Sequence, residues 1–254
     1  MYKNIFDTHA HYDDSRFDVD RDELLSSLSE KGVSSIVNCG CDLKSSLTTV
    51  ALAERYSFIY AATGVHAHEA QEATESDLEE IERLYGNERV VAVGEIGLDY
   101  HYDFSPRERQ LEVFEKQLVL ANRLGLPVIV HDREAHEDIM RLLKKHRPEG
   151  VVHCFSGSAE MAKEVLKLGM YIGIGGAVTF KNAKKPVEVA EMLPLDRLLL
   201  ETDCPYMAPV PMRGKRNNSA YIQYVAEKIG EIKGIEPQEI TDKATDNVKK
   251  LFGI

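Results

Sequence analysis

The stretch Phe6–His11, which reads FDTHAH, places three chemically active residues at alternate positions directly after an apolar pair. Alternate side chains of an extended strand point to the same face, so Asp7, His9 and His11 would share one face. Two imidazoles on one face can bind a single divalent metal ion. A His-x-His pair alone is weak evidence, because histidines are also common in cores and on surfaces. The stretch predicts a metal site only if further ligands converge on it.

Further histidines and carboxylates follow apolar runs that we interpret as strands. Each has a structural explanation on its own: His131 as a hydrogen-bonded strand-end histidine, or Glu201 as a helix-start acid before Pro205. Their joint occurrence at five strand ends favours one shared pocket, because the carboxyl ends of barrel strands converge on one face. These residues are His66, His68, Glu95, Asp99, His131, His153, Glu201 and Asp203.

Eight short apolar runs alternate with stretches of helical periodicity, a pattern typical of parallel β/α units. At about 30 residues per unit, the 254 residues suit a (β/α)8 TIM barrel, regular or distorted. We predict one α/β domain over residues 1–254, with an open doubly wound sheet as the alternative. The predicted strands are Asn4–Phe6, Ser35–Asn38, Ile59–Thr63, Val90–Val93, Pro127–Val130, Val151–Val152, Met170–Ile174 and Leu198–Leu200.

The clearest helical pattern is expected to begin near Ser105–Pro106, where Ser can cap the helix and Pro fits the first turn. It is expected to end before Gly125. The run Ala220–Phe252 predicts two or three further helices that close the barrel. The apolar positions of the first pattern, spaced three or four apart, are Leu111, Phe114, Leu118, Ala121 and Leu124.

The net charge of −11 disfavours nonspecific binding to duplex nucleic acid. It does not exclude an anionic substrate, because bound divalent ions would reverse the local potential of a carboxylate-rich site. No apolar run approaches the roughly 18 residues of a membrane span, and the N-terminus shows no secretion signal. Four scattered cysteines without a C-x-x-C pair indicate reduced thiols and a cytoplasmic location.

The chain resembles the TatD-type metal-dependent deoxyribonucleases, within the wider group of amidohydrolase-like barrels. The resemblance runs the full length, and its motifs are highly specific together although none would be alone. They are FDTHAH (Phe6–His11), GVHAH (Gly64–His68), VGEIGLDY (Val93–Tyr100), LPVIVHDR (Leu126–Arg133), HCFSG (His153–Gly157), ETDCPYMAP (Glu201–Pro209), RGKRN (Arg213–Asn217) and NVKKLF (Asn247–Phe252).

The resemblance implies two divalent metal ions, a monomer, and a role for each matching position. Glu201 corresponds to an acidic residue that is sometimes linked to a third metal, and Asp203 to a ligand near both the first metal and the attacking water. The implied roles are first-metal ligands His9 and His11, shared carboxylate Glu95, second-metal ligands His131 and His153, catalytic acidic residues Asp203 and Glu201, and substrate-phosphate contacts His66, Arg133, Arg213 and Lys215.

Two positions depart from the family pattern. Ala67 stands where a proline is common, and Asn218–Ser219 replace a common Glu-Pro pair. We expect the loss of the acid and of the rigid proline to loosen the loop after the eighth strand. Substrate preference is then in question, whereas every expected metal ligand is present.

The first functional hypothesis is a two-metal phosphodiesterase acting on DNA, on single strands or at 3′ ends. Mixed imidazole and carboxylate ligands suit Mg²⁺, Mn²⁺ or Zn²⁺. Such ions activate water and neutralise charge on phosphate, while Asp203 could accept the proton of the water. Arg133 and Arg213 offer planar donors that match phosphate geometry.

The second hypothesis places another substrate on the same metals: a carboxylic ester such as an aminoacyl-tRNA ester, a lactone or a cyclic amide. The aromatic content of 7%, with no Trp, keeps it open, since platforms for single strands need aromatic rings. A third hypothesis, a non-catalytic metal-stabilised protein, is disfavoured by the intact acids Asp203 and Glu201. Candidate stacking residues are Tyr100, Tyr102, Phe155, Phe180 and Tyr206.

Overall fold

The computed structural model describes residues 2–254, in which eight parallel strands pair in chain order from β1 to β8. Ala10 and Cys204 form a further parallel bridge between the two ends of the sheet. The sheet is therefore a nearly closed barrel, which confirms the TIM-barrel prediction over the open doubly wound alternative. The strands are β1 Ile5–Ala10, β2 Val33–Cys39, β3 Ile59–Thr63, β4 Val90–Asp99, β5 Val128–Arg133, β6 Gly150–Val152, β7 Tyr171–Ile174 and β8 Leu198–Leu200.

Helices surround the barrel, and the last two lie in the run Ala220–Phe252, as predicted. No helix within residues 2–254 is both long and apolar enough to cross a membrane. The helices are α1 Arg21–Ser27, α2 Leu43–Arg55, α3 Glu75–Leu84, α4 Arg107–Leu124, α5 His136–His146, α6 Ala159–Lys167, α7 Lys184–Met192, α8 Ile222–Lys233 and α9 Pro237–Phe252.

Helix α4 begins at Arg107, with Pro106 at the cap position and no side-chain cap. The predicted Ser105 cap is wrong, because the Ser105 hydroxyl donates to the His68 carbonyl at 2.8 Å. That hydrogen bond joins the loop after β3 to the loop after β4. The C-terminal prediction is confirmed, since Gly125 ends the helix in the left-handed conformation with a φ of 66°.

Strands β1, β4 and β5 extend beyond their predicted ends, to Ala10, Asp99 and Arg133. The prediction ended them where the apolar run ends, but ladder hydrogen bonds join backbone groups and continue past polar side chains. Gly97 of β4, for example, pairs with His131 of β5. Residues expected just past the predicted strand ends therefore lie inside strands, among them His9, Glu95, Asp99 and His131.

The amino-terminal end of the barrel interior is apolar. Helix α9 packs against this end and closes it. An apolar layer, which we call the floor, therefore lies beneath the polar residues at the opposite end. This places them at the carboxyl ends of the strands, where TIM barrels build their sites. The floor consists of Phe6, Val37, Cys39, Ala62, Val91, Ala92, Ile129, Val151, Tyr171 and Leu199, with Val248, Leu251 and Phe252 of α9.

Candidate metal centre

Glu95 of β4 is 4% exposed and lies at the centre of five imidazoles. Its two carboxylate oxygens face different histidines, three on one side and two on the other. We call these six residues the Glu95 cluster. Oε1 lies 2.8 Å from His153 Nε2, 2.9 Å from His131 Nδ1 and 3.4 Å from His66 Nε2, whereas Oε2 lies 3.2 Å from His9 Nε2 and 3.5 Å from His11 Nε2.

The imidazole nitrogens of the Glu95 cluster also face one another. His9 Nε2 lies 3.0 Å from His11 Nε2, and His131 Nδ1 lies 3.3 Å from His153 Nε2. A neutral imidazole has one donor and one acceptor nitrogen, and a carboxylate only accepts. Lone pairs that converge in this way around a carboxylate are the donor set that a divalent cation binds.

Outer contacts orient two of these imidazoles. His11 Nδ1 lies 2.9 Å from the Cys39 carbonyl oxygen, and His131 Nε2 lies 3.1 Å from Asp99 Oδ2. Carbonyl and carboxylate oxygens only accept, so in the neutral rings the outer nitrogens carry the proton and the inner nitrogens present lone pairs. Asp99 was expected in the shared pocket, but the sequence assigned it no role; it lies on the same face of β4 as Glu95.

Asp203 lies in the loop after β8, above His9 and His11. Its backbone N–H donates to the His9 carbonyl at 2.9 Å, and its Oδ1 lies 3.4 Å from His11 Nε2. Its φ of 56° is left-handed, a conformation uncommon outside glycine and often found at functional sites. The side chain is 20% exposed, so Asp203 contacts both a buried histidine and solvent.

Glu201 and His153 hold the buried polar atoms of the site that have no partner. Within residues 2–254, neither Glu201 Oε2 nor His153 Nδ1 has a hydrogen-bond partner. Glu201 Oε1 accepts from the Cys154 backbone N–H. Gly173 makes room for this carboxylate, because a Cβ at that position would overlap it. Buried polar atoms are nearly always paired, so these two fit a polar or metallic ligand.

Ligand atoms in residues 2–254 form four overlapping groups of three in which all atoms lie within 4.8 Å of one another. One group includes Cys41, whose Sγ lies 3.8 Å from Glu95 Oε2. The groups are His9–Glu95–His153, His9–His11–Asp203, His66–Glu95–His131 and His11–Cys41–Glu95.

A family profile described as TatD related DNase matches residues 6–253. The chain belongs to this family. The match confirms the resemblance drawn from the motifs, and with it the prediction of an enzyme, a metal-dependent hydrolase. The donor set around Glu95 suits that class, because imidazole and carboxylate ligands bind the divalent ions that such enzymes use.

Similar proteins cover the whole chain. An uncharacterised metal-dependent hydrolase, YabD of Bacillus subtilis, is 47% identical over 98% of this chain and 99% of its own length. A protein named 3′-5′ ssDNA/RNA exonuclease TatD, from Klebsiella pneumoniae, is 35% identical over 98% of each chain. The crystal structure of YJJV, a TatD homologue from Escherichia coli, superposes with a TM-score of 0.94 at 36% identity and covers 100% of each chain.

Burial and neighbouring charges set the protonation of this TatD-family site. Burial lowers the pKa of His9 and of His66 to about 4. Burial alone would raise the pKa of Glu95, but the imidazoles, His153 foremost, outweigh it and hold that pKa well below its usual range. Burial raises the pKa of Glu201 to about 8. At neutral pH, in the absence of metal, Glu95 is therefore an anion whereas Glu201 carries a proton.

The structure separates the predicted phosphate-binding residues into two groups. His66 belongs to the Glu95 cluster, and its Nδ1 accepts from the His68 backbone N–H at 3.2 Å, in the turn that begins at Ala67. Arg133, Arg213 and Lys215 are exposed. Arg133 ends β5, and Arg213 and Lys215 lie in the loop after β8, positions that we call the rim. Within residues 2–254, none of the three forms a hydrogen bond or ion pair with the cluster.

The two rim arginines are free of carboxylate partners within residues 2–254. Arg133 lies 4.7 Å from the ring centre of Tyr102, and Arg213 lies 4.1 Å from that of Phe180. Arg216, in the same basic segment as Arg213, instead forms an ion pair with Asp20 at 2.5 Å. An unpaired guanidinium on a rim keeps its planar donors available for an anionic substrate.

Proposed function

We propose that this chain hydrolyses phosphodiester bonds at the 3′ ends of single-stranded DNA, with two divalent metal ions bound around Glu95. The observation that carries the proposal is the division of five imidazoles between the two oxygens of one carboxylate. A carboxylate between two ligand sets is the arrangement expected of a two-metal hydrolase. The name of the Klebsiella relative, a 3′-5′ exonuclease, supports the choice of substrate and end.

We assign one metal site to His9, His11 and Asp203, the other to His131 and His153, and Glu95 to both. The unpaired atoms of Glu201 and His153 offer a place for a third ion. When bound, Mg²⁺, Mn²⁺ or Zn²⁺ would supply Lewis acidity that lowers the pKa of water and offsets charge on the phosphate. The ligand set does not choose among these ions, since imidazole and carboxylate suit several.

Asp203 is the residue that we assign to accept a proton from the attacking water. It is the most exposed carboxylate of the site, and the neighbouring imidazoles, His11 first, overcome the effect of burial and lower its pKa. An ionised carboxylate at the mouth of the site can take a proton and release it to solvent. Glu201, with its pKa raised to about 8 by burial, is better suited to hold a proton.

His66, Arg133, Arg213 and Lys215 are assigned to the substrate phosphates. His66 lies inside the cluster, beside Glu95 Oε1 at 3.4 Å, where the scissile phosphate would be bound. The other three lie on the exposed rim and would contact flanking phosphates. Bidentate donors such as Arg133 and Arg213 bind phosphate with defined geometry, whereas Lys215 contributes a point charge.

The test is hydrolysis of single-stranded DNA labelled at its 5′ end, by metal-free protein to which Mg²⁺, Mn²⁺ or Zn²⁺ is returned. We expect metal-dependent shortening from the 3′ end. We expect E95Q to lower kcat/KM by at least about 1000-fold, since the change removes the shared anionic ligand. Glu231, on α8 with its side chain 70% exposed, provides the matched control E231Q, which should retain full activity.

Intact DNA under every metal would contradict the proposal. Hydrolysis of an aminoacyl ester, a lactone or a cyclic amide, lost in E95Q, would then support the alternative substrate on the same centre. Shortening that E95Q retains would contradict the assignment of Glu95. Melting of the fold on metal removal, with no hydrolysis of any substrate, would favour a structural metal instead.

We further propose that residues 1–254 form one domain that acts as a monomer in the cytoplasm. Contacts between the two ends of the chain support the single domain: the Thr245 hydroxyl of α9 donates to the Asn4 carbonyl at 2.7 Å. All four cysteines are free thiols, which supports a reducing compartment. Sedimentation of the purified protein at several concentrations tests the monomer.

A further inference from the structure

Two aromatic rings stand exposed on the rim, in the loop between β4 and α4. Tyr102 is 48% exposed and Phe104 is 67% exposed. Their ring centres lie 5.3 Å apart with an angle of 22° between the planes. Large aromatic side chains normally bury most of their surface. Two adjacent, nearly parallel rings that are open to solvent therefore form a surface on which a flat ligand can stack.

One histidine separates these rings from the Glu95 cluster. The ring centre of His68 lies 4.8 Å from that of Phe104 and 4.4 Å from that of His66. His68 is fixed in place, because its Nε2 lies 2.9 Å from Asp99 Oδ2, the same oxygen that His131 contacts. The exposed rings thus lie one ordered side chain away from His66, the residue assigned to the scissile phosphate.

A free cation accompanies the rings. The Arg133 guanidinium lies 4.7 Å from the Tyr102 ring centre, and within residues 2–254 it has no ion pair with a carboxylate. Arg16, also near the mouth, is by contrast committed to Asp14 at 2.7 Å. A flat apolar face beside an unpaired cation complements a nucleotide, which offers a base to stack and a phosphate to bind.

The other aromatic residues predicted to stack on bases are less available. Phe155 is 5% exposed, and the Tyr100 hydroxyl donates to Asp138 at 2.8 Å. Tyr206, near His11, is 46% exposed, but the arginine over its ring, Arg16, is paired with Asp14 and is not free to bind a phosphate. Phe104 was not among the predicted stacking residues, because nothing in the sequence shows that this ring is exposed.

We propose that Tyr102 and Phe104 form a stacking platform for a nucleobase next to the scissile phosphodiester, with Arg133 contacting the adjoining phosphate. This inference rests on the proposed function, since it names residues that would select single-stranded nucleic acid at that same site. A base in a duplex is already stacked and paired, so only an unpaired base can use the platform.

The test compares a single-stranded oligonucleotide with a matched one whose 3′-terminal residues are abasic. Stacking of one base is expected to strengthen binding about 10-fold or more. We therefore expect wild-type protein to bind the base-bearing strand at least about 10-fold more tightly, measured by fluorescence anisotropy with Ca²⁺ present. The ratio of kcat/KM for the two strands should show the same preference.

Two double variants test whether the aromatic rings cause this preference. Y102L/F104L keeps apolar bulk at exposed positions but removes the aromatic faces, and its preference ratio should fall to about one. Y102F/F104Y keeps both rings and should keep the preference. Circular dichroism and melting temperature check that each variant folds, and the ring-preserving variant controls for any disturbance of the loop.

Binding and hydrolysis test the platform and the proposed function separately. A ring-dependent preference in binding supports the platform even if wild-type protein hydrolyses no DNA, in which case only the proposed function fails. Equal binding of base-bearing and abasic strands by wild type overturns the platform, whatever the hydrolysis result. A preference that survives in Y102L/F104L also overturns it, and would point to other residues.

Discussion

Two buried polar regions lie side by side at the carboxyl end of the barrel, and they differ in how their hydrogen-bonding capacity is used. One is the Glu95 cluster. The other, which we call the Asp7 network, consists of Asp7, Tyr12, Thr202 and Ser219. Residues Asp7 and His9 are two positions apart on β1, yet they belong to different regions.

In the Asp7 network the carboxylate is fully satisfied. Asp7 Oδ1 accepts from the backbone N–H groups of His9 and Thr202 at 3.2 and 3.0 Å. Asp7 Oδ2 accepts from the hydroxyls of Thr202 and Ser219 at 2.6 and 2.7 Å. Burial raises the pKa of Asp7 to about 6, and these hydrogen bonds oppose the rise. Every partner is a donor from the protein itself.

The Glu95 cluster instead turns imidazole nitrogens toward one another and toward a single carboxylate, and its neighbours Glu201 and His153 keep unpaired buried atoms. Unpaired buried polar groups cost free energy, so they persist where a ligand or a reaction uses them. The comparison teaches that burial and carboxylate chemistry do not distinguish a structural site from a functional one. The distinction lies in whether the protein supplies the partners.

The largest stability effect is expected from D7A. The change leaves the N–H groups of His9 and Thr202 and the hydroxyls of Thr202 and Ser219 without their acceptor. Hydrogen bonds to charged groups are strong, so we expect the free energy of unfolding to fall by about 4 kcal/mol and the melting temperature by roughly 10 °C. Calorimetry of the metal-free protein measures it. A melting temperature unchanged in D7A would mean that Asp7 supports the site and not the fold.

Metal binding should stabilise the folded protein, because the ion supplies the partners that the Glu95 cluster and its unpaired neighbours lack. At about 100 times Kd, Mn²⁺ or Zn²⁺ is expected to raise the free energy of unfolding by about 2.7 kcal/mol. The corresponding rise in melting temperature is about 5–10 °C. The E95Q variant should show a much smaller rise, and E231Q the full one. A rise equal in all three proteins would place the stabilising ion somewhere else.

Glu201 should make the metal-free protein less stable as pH rises. Because burial raises its pKa to about 8, the folded protein keeps a proton on Glu201 that the unfolded chain loses near pH 4.3. Between these values the folded state binds more protons, so stability falls with rising pH. We expect a loss of about 2 kcal/mol between about pH 5 and about pH 7.

The variant E201Q isolates this contribution, because glutamine resembles the protonated acid and does not titrate. Denaturant unfolding of both metal-free proteins at several pH values should give curves that diverge as pH rises, with E201Q losing less stability. Parallel curves would show that Glu201 is ionised in the folded protein. Its unpaired Oε2 would then have a partner in solution.

The sequence predicted the barrel because alternating apolar and helical runs report local periodicity. It did not predict the ends of β1, β4 and β5, because backbone pairing carries a strand through polar residues such as His9 and Glu95. The family motifs identified the residues of the Glu95 cluster before the fold showed them converging. Asp99, four residues beyond Glu95 on the same strand, was expected in the shared pocket, but its contact with His131 was not predicted.

The Asp7 network could not be predicted from any local pattern. Its contacts join Asp7 to Thr202 and Ser219 across most of the chain, and sequence periodicity carries no information at that separation. The exposure of Tyr102 and Phe104 was equally hidden, since an aromatic residue in a loop can be buried or open with the same sequence around it.

Ser219 tests how the Asp7 network replaces a feature that is common in the family. We predicted a looser loop from the loss of proline at this position, but Ser219 makes three hydrogen bonds that hold it. Its N–H donates to the Tyr12 hydroxyl at 2.9 Å, its Oγ lies 2.8 Å from that hydroxyl, and its Oγ–H donates to Asp7 at 2.7 Å. Proline has no N–H and no hydroxyl, so it could make none of them.

We therefore expect S219A to lower the free energy of unfolding by about 1 kcal/mol, the smallest of these effects. The double variant D7A/S219A should be about as stable as D7A alone, because the serine hydroxyl has no carboxylate to bind once Asp7 is gone. Additive losses in this cycle would mean that Ser219 acts through Tyr12 and not through Asp7. Denaturant unfolding of the four proteins measures this coupling. If the coupling is absent, the hydrogen bond to the Tyr12 hydroxyl would be what holds the loop after β8.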